Sequence, residues 1–454
     1  MTFDVIVIGS GQAGVPLANR LAGSGKKVLL AERGELGGTC VNTGCTPTKT
    51  MIASARAAHV ARTAARLGVR VKQVEVDFAA VVARKDAIVA RWREGVAKRV
   101  KVDRLTVAHG EARFVGERKV EVGGEVHEAG TIIVNTGARS VVPPIDGLGE
   151  VPWLDNASVM QLRELPAHLL VLGGGYIGCE FGQMFRRFGA AVTIADHGEH
   201  LMSREDPELS SALETALRGE GIELALGVDV AAVSGRAGDL TVRLGGGGTL
   251  RGSHLLVAVG RRPNSDGLAC EKGGIALDAK GNIVVDDWYR TSAEGVYAVG
   301  DVTGGPQFTH TSWDDHRLLF DILLGRPGRG RRDRLIPWTA FTDPQVAGVG
   351  VNEREAREKG IPYEVATMPF GDVARAIEID ETAGVMKVLV DPKTERLLGA
   401  RIVGAEAGEL IHVFVGLMQA GASARAIVEA EFVHPTFAEG LQSLVMKLER
   451  FALR

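Results

Sequence analysis

The chain has 454 residues, room for about three domains at roughly 150 residues each. Its 53 basic and 56 acidic side chains leave a formal charge of −3, so no global field recommends a nucleic-acid or anionic-lipid partner. Four cysteines are too few for a disulfide framework of this length, and a working pair among them points to chemistry rather than bracing.

Residues 4–32, DVIVIGSGQAGVPLANRLAGSGKKVLLAE, read as strand, glycine turn, helix and strand ending in an acid. Gly9, Gly11 and Gly14 have GxGxxG spacing, which suits a tight turn, a close approach to a pyrophosphate and tight helix–strand packing, respectively. No basic segment or cleavage site precedes the first strand, and no apolar run reaches the roughly 18–20 residues of a membrane helix. A cytoplasmic protein without a membrane segment is expected.

The stretch GGTCVNTGCTPTKT at 37–50 then places Cys40 and Cys45 beside two glycines and ahead of an Ala-rich helical pattern. A loop this short gains only about 2 kcal/mol from cross-linking, a weak structural reason for the spacing. Inert buried thiols or half a zinc site are alternatives, although CxxxxC is an unusual zinc spacing and no second Cys/His pair accompanies it. Residues 52–66 and 84–104 are rich in Ala and Arg at helical spacing. Intervening acids and scarce aromatics make them solvated helices rather than a nucleic-acid face.

The first design returns at 169–196, LLVLGGGYIGCEFGQMFRRFGAAVTIAD, with Gly173, Gly175 and Gly178 after the strand. In both copies the terminal acid, Glu32 or Asp196, stands 18 positions after the third glycine and can accept from ribose hydroxyls. Two such units imply two dinucleotides. Asp196 would repel a 2′-phosphate and so favours NAD(H) over NADP(H), while His197, His200 and Arg204 just beyond could soften that preference. Cys179 on the second helix and Cys270 in a connecting stretch are expected to be small packing residues. The glycines at 245–248 suggest a hairpin turn, and GRPGRGRRDR at 325–334 an exposed connection at the last domain boundary.

CVNTGCTPTK, lying between the first acid and a lysine, resembles the redox motif of the flavoprotein disulfide reductases, the family of dihydrolipoamide dehydrogenase, glutathione reductase and mercuric reductase. The likeness spans nearly the whole chain, through TIIVNTGARS (131–140), VAVGRRPN (257–264), EGVYAVGDV (294–302), FTDPQVAGVG (341–350), LLGARIVGAEAGELI (397–411) and HPTFAEG (434–440). It implies an α/β fold with two Rossmann-like domains, for FAD and NAD(P), and a C-terminal α+β dimerisation domain. The expected divisions are 1–145 and 264–334 for the two parts of the FAD domain, 146–263 for the NAD(P) domain and 335–454 for the interface of a homodimer.

By the same resemblance Cys45 is the thiol facing the flavin and Cys40 the thiol meeting substrate. His434, oriented by Glu439, is the base lent by the other subunit. Lys49 and Glu180 match an ion pair beside the flavin, and Tyr176 a ring that gates the nicotinamide pocket. Thr39, Thr136, Gly137, Asp301 and Gly260 fall in cofactor-binding motifs, Asp301 at the ribityl chain. The base has a chemical reason: an ordinary cysteine, with pKa about 8.5, is only a few per cent thiolate at pH 7. The expected activity is electron transfer between NAD(P)H, FAD and a Cys40–Cys45 disulfide, to or from a small thiol or disulfide. Reduction of a metal ion is the rival, although the chain ends LVMKLERFALR without the vicinal cysteines of mercuric reductases and has His434 where those usually have Tyr. A flavoprotein with idle cysteines that reduces quinones or oxygen, or senses NADH, is a third class.

Overall fold

The computed structural model describes residues 1–326 and 328–452; Pro327 of the 325–334 connection and the terminal Leu453 and Arg454 lie outside the described residues. Chain contacts divide it into two units, one of Met1–Met51, Ala80–Val141 and Gly260–Arg334, the other of Ile52–Ala79, Val142–Val259 and Leu335–Arg454.

The first unit is built on a seven-stranded sheet. Strand Thr2–Ile8 lies between Val28–Glu32 and Glu125–Val134, parallel to both. Leu105–His109 continues the parallel order on one side, and Lys119–Val122 and Ala112–Gly116 extend it antiparallel on the other. Val296–Ala298 also runs parallel to Glu125–Val134. Val5, Ile6, Val7 and Ile8 are all buried, the unbroken apolar run of a parallel strand covered on both faces. Helix Gly14–Gly23 turns Val15, Leu17, Ala18, Leu21 and Ala22 into one of those cores.

The second unit contains the repeat. Strand His168–Leu172 pairs in parallel with Ala191–Ala195 and His254–Val257, and Glu223–Ala225 completes a four-stranded sheet. Helix Tyr176–Phe188 joins the first two of these strands. Strands Asp239–Leu244 and Thr249–Gly252 are antiparallel, so residues 245–248 form the expected hairpin turn. The C-terminal part is a five-stranded antiparallel sheet, Trp338–Ala340, Gln345–Gly350, Leu397–Gly404, Val385–Val390 and Glu364–Pro369 in spatial order, with helix Ala407–Gln419 packed into the same core. The expected α/β architecture with two dinucleotide folds and a C-terminal α+β part is therefore present. No helix among the described residues is long and apolar enough to cross a membrane.

Candidate active site

The two glycine turns obey one steric logic. Gly9 has φ +103°, and a Cβ there would stand 2.3 Å from the Asn135 carbonyl oxygen; at Gly14 it would stand 1.9 Å from the oxygen of Gly9. In the second turn Gly173 has φ +108° with the Ala258 oxygen 2.5 Å from its Cβ position, and at Gly178 the oxygen of Gly173 is 1.8 Å away. The outer glycines are thus required by the chain's own packing. The middle ones are not: a Cβ at Gly175 meets nothing within 4 Å, and at Gly11 the nearest atom is Asn135 Nδ2 at 3.2 Å. Space kept clear over a turn leading into a helix fits a bound pyrophosphate.

Each acid is held by its turn. Glu32 Oε2 accepts from the Ser10 amide at 2.9 Å, and Oε1 accepts from the Gly34 amide at 2.8 Å. Asp196 accepts from Gly174 N at 2.5 Å and Gly198 N at 2.7 Å. Glu32 Oε1 and both oxygens of Asp196 keep a further lone pair, so both acids can still take ribose hydroxyls. His200 Nδ1 lies 3.2 Å from Glu214 and His197 Nδ1 3.6 Å from Asp196 itself, so neither imidazole stands apart from a carboxylate as a phosphate ligand would.

The remaining cofactor-motif residues of the first unit are drawn together by Asn264. Thr136 Oγ1 donates to the Asn264 carbonyl at 2.8 Å, Asn264 Nδ2 returns to the Thr136 carbonyl at 2.9 Å, and Asn264 N donates to Gly137 O at 2.9 Å. The carbonyl of Gly260 accepts from Val141 N at 3.0 Å. Asp301 sits in the short turn Gly300–Thr303, 3.8 Å from the Arg261 guanidinium. Burial pushes its carboxyl above the usual range, against the pull of Arg261. A shielded carboxylate near the end of a parallel strand suits a polyol chain better than bulk water. The donor set of this unit fits FAD.

Cys40 lies in the one-turn helix Gly38–Asn42, and Cys45 is the first residue of the helix Cys45–Thr63. Gly44 lets the two segments meet, since a Cβ there would approach Thr39 O to 2.9 Å and Cys40 Cα to 3.3 Å. Thr39 is exposed and its carbonyl accepts from Thr43 N at 2.9 Å. The loop also presses on the first glycine turn: a Cβ at Gly38 would stand 2.7 Å from Gly11 Cα. A hydrogen bond with Cys45, burial and repulsion by the Cys45 charge push the Cys40 thiol far above its ordinary range, while Thr309 and Lys49 pull it down. Lys49 is one helical turn beyond Cys45. The two sulfurs therefore lie side by side, and Cys40 holds its proton firmly.

In the second unit Tyr176 opens the helix that follows Gly175. Glu180, one turn further, is buried and accepts from Phe341 N at 2.8 Å. His434 is 71% exposed, and its Nδ1 lies 2.9 and 3.2 Å from the two oxygens of Glu439. A carboxylate that holds Nδ1–H leaves Nε2 as the proton acceptor and fixes the plane of the ring. Cys179 and Cys270 are buried, as expected of packing residues; burial raises both thiols, that of Cys270 to about 11. Among the described residues the grouping of metal-ligand types is Asp206, Glu208 and Glu353, which contains no cysteine. The Lys387 ammonium sits against Asp206 at 3.2 Å and Glu353 at 2.5 Å.

Several site residues escape the sequence reading. Thr309 Oγ1 lies 3.0 Å from Cys45 Sγ, 264 positions along the chain. Asn42 donates to the carbonyls of Glu35, Leu36 and Gly38 at 3.1, 3.2 and 3.0 Å and takes Arg93 Nε at 2.6 Å, knotting the cysteine loop. Ser10 Oγ donates to Glu32 Oε2 at 2.6 Å and accepts from Gly37 N at 3.1 Å, tying glycine turn, acid and cysteine loop at one atom. A small polar residue inside a GxG turn is the one local hint.

Residues 3–315 match the profile of the pyridine nucleotide-disulphide oxidoreductases, and residues 336–445 match that family's dimerisation domain. Among curated relatives, the probable pyridine nucleotide-disulfide oxidoreductase RclA of Escherichia coli is 36% identical over 97% of this chain and 98% of its own. Mercuric reductase of Staphylococcus aureus is 33% identical over 99% and 83%, and dihydrolipoyl dehydrogenase of Thermus scotoductus 35% over 100% and 98%. The solved Cu(II) complex of the HOCl-induced flavoprotein disulfide reductase RclA superposes with a TM-score of 0.90 at 35% identity, covering 98% of this chain and 99% of that one.

Proposed function

Because the chain belongs to the pyridine nucleotide-disulphide oxidoreductases, FAD-dependent enzymes that use a pyridine nucleotide, we propose that Cys40 and Cys45 are its redox-active pair and a small thiol or disulfide its partner substrate. The observation that carries this reading is the sulfur pair itself, hydrogen-bonded together at the start of a 19-residue helix, on a loop that touches the first glycine turn.

When bound in the first fold, FAD supplies a two-electron relay between nicotinamide and disulfide. The rest falls to the chain's own side chains. Gly9–Gly14 and Glu32 hold the diphosphate and a ribose, and Asp301 the polyol. Cys45, at a helix start that favours negative charge, is the sulfur on the flavin side. Cys40 exchanges with substrate, and its firmly held proton needs an acceptor. His434, its Nδ1 on Glu439, is suited to take that proton at Nε2 and lend it back. The dimerisation domain supports a homodimer in which each copy lends His434 to the other's cysteines. By the family likeness Lys49 and Glu180 are each assigned a place on the flavin side, and Tyr176 the border of the nicotinamide. Asp196 makes NAD(H) the preferred nucleotide, and the cytoplasm is the place of action.

A metal ion is the second reading for substrate. Two adjacent sulfurs are a soft-ion site, and the relatives include a mercuric reductase and an RclA solved with Cu(II). Anaerobic titration with NADH tests the central reading: uptake of about four electrons per flavin, two for the ring and two for the disulfide, is expected. Uptake of only the flavin's own pair would exclude a working disulfide. Turnover of lipoamide, glutathione disulfide, Cu(II) and Hg(II) with each nicotinamide then ranks the substrates.

A further inference from the structure

Tyr176 follows the second glycine turn directly, and its ring packs on Trp338, with centroids 5.2 Å apart and planes tilted by 32°. Trp338 is almost wholly buried and begins the first strand of the C-terminal sheet. Its cross-strand partner is Gly348, where a Cβ would stand 2.8 Å from the indole, so the glycine gives the ring its bed. The guanidinium carbon of Arg401 lies 5.8 Å from the same ring. Arg401 cannot swing away: it is 3% exposed, and its Nε donates to Glu205 at 2.7 Å while its terminal nitrogens donate to Val349, Ala400 and Gly350 carbonyls at 2.8, 2.9 and 3.1 Å. The indole is therefore a fixed wall, and a half-buried phenol at the start of a helix leans on it.

We infer that Trp338 is a positioning residue for Tyr176, its indole fixing the phenol ring and so setting the affinity of the second fold for the nicotinamide half of its cofactor. The inference rests on the reading of Tyr176 as the border of the nicotinamide pocket. Trp338 acts through Tyr176 rather than by touching the cofactor, and an aromatic pair of this kind shifts an equilibrium by about 2- to 12-fold. The adenosine half, held by Asp196 and the glycines, lies outside its influence.

Isothermal titration of the oxidised holoenzyme with NAD+ and with ADP-ribose, which has the adenosine half and lacks nicotinamide, separates the possibilities. Trp338→Leu is expected to weaken NAD+ by about 2- to 12-fold and leave ADP-ribose unchanged, with Trp338→Phe recovering most of the loss. Equal weakening of both ligands would mean that Trp338 only supports the fold, and would overturn the inference. So would an unchanged NAD+ constant in Trp338→Leu alongside a changed one in Tyr176→Ala. If Tyr176→Ala itself fails to distinguish NAD+ from ADP-ribose, it is the placement of Tyr176 that is wrong. Should Trp338→Leu yield no folded holoenzyme, Trp338→Met takes its place in both titrations, where a loss confined to NAD+ supports the inference and an equal loss of both ligands overturns it.

Discussion

The first and second glycine turns share a hydrogen-bond plan but not an outlook. In each, the second residue of the turn and the residue two beyond the acid give their amides to that acid. The difference lies at residue 10 against residue 174. Ser10 adds a hydroxyl that reaches both Glu32 and the amide of Gly37, whereas a side chain at Gly174 would meet Leu201 Cδ2 at 2.6 Å. The first turn is thus tied to the loop that carries the cysteines, and the second is closed over its own acid. On the proposed assignment the comparison teaches a division of labour, in which one turn would hold a cofactor that must stay registered with two sulfurs and the other a cofactor that comes and goes.

The largest expected effect comes from removing the chemistry that only the first turn serves. Cys45→Ser should lower disulfide turnover at least about a thousandfold while NADH-to-dye activity persists, because the dye draws electrons without the sulfurs. A parallel loss of both activities would show that the two folds are not separable in this way. His434→Ala should divide the activities in the same sense, and the remaining exchange should rise with pH, since Cys40 would then have to lose its proton without an imidazole to take it.

Next in size are the third glycines. Gly14→Ala and Gly178→Ala each drive a methyl against a carbonyl oxygen, at 1.9 and 1.8 Å, with no flexible neighbour to yield. The first should leave the purified chain without FAD. The second should leave the flavin stoichiometric and slow its reduction by NADH by about a hundredfold or more. Flavin content and stopped-flow reduction measure the two, and flavin loss from Gly178→Ala would contradict the assignment of cofactors to folds. A smaller effect is expected at the second acid: Asp196→Ala should shift the NADPH-to-NADH ratio of kcat/KM by about tenfold or more towards NADPH, as like-charge repulsion of a 2′-phosphate disappears.

Much of this arrangement was legible in the sequence, and the reason is local. A strand, a turn that tolerates only glycine at fixed positions and an acid at the end of the next strand are all set within about thirty residues, by sterics that leave few alternatives. The cysteine spacing, read with Lys49, is equally local. What could not be read are contacts made by folding: Thr309 meets Cys45 across 264 residues, and Trp338 reaches the helix of Tyr176 from the C-terminal sheet. Nothing in the FTH triplet around Thr309 or in the WTA strand marks either residue. Asn42 stands inside the motif, yet its grip on three carbonyls is made only by the folded loop, in which Gly37 and Gly38 both take positive φ.

The smallest predicted effect bears most directly on the comparison. Ser10→Gly would make the first turn a chemical copy of the second. It removes the 2.6 Å bond to Glu32 and takes the acceptor from the buried amide of Gly37, while the Ser10 amide bond to Glu32 survives because it belongs to the backbone. An amide left without a partner in such a place costs about 1–2 kcal/mol, or roughly 5- to 30-fold in FAD affinity if the flavin binds only the ordered turn. Equilibrium dialysis of FAD should show that loss. Because the same hydroxyl tethers the cysteine loop, disulfide turnover per bound flavin should fall as well, whereas NADH-to-dye turnover per bound flavin should hold. A fall in flavin affinity with unchanged exchange chemistry would mean that Asn42 and Gly38 alone register the sulfurs, and that Ser10 distinguishes the two turns only in how tightly each grips its acid.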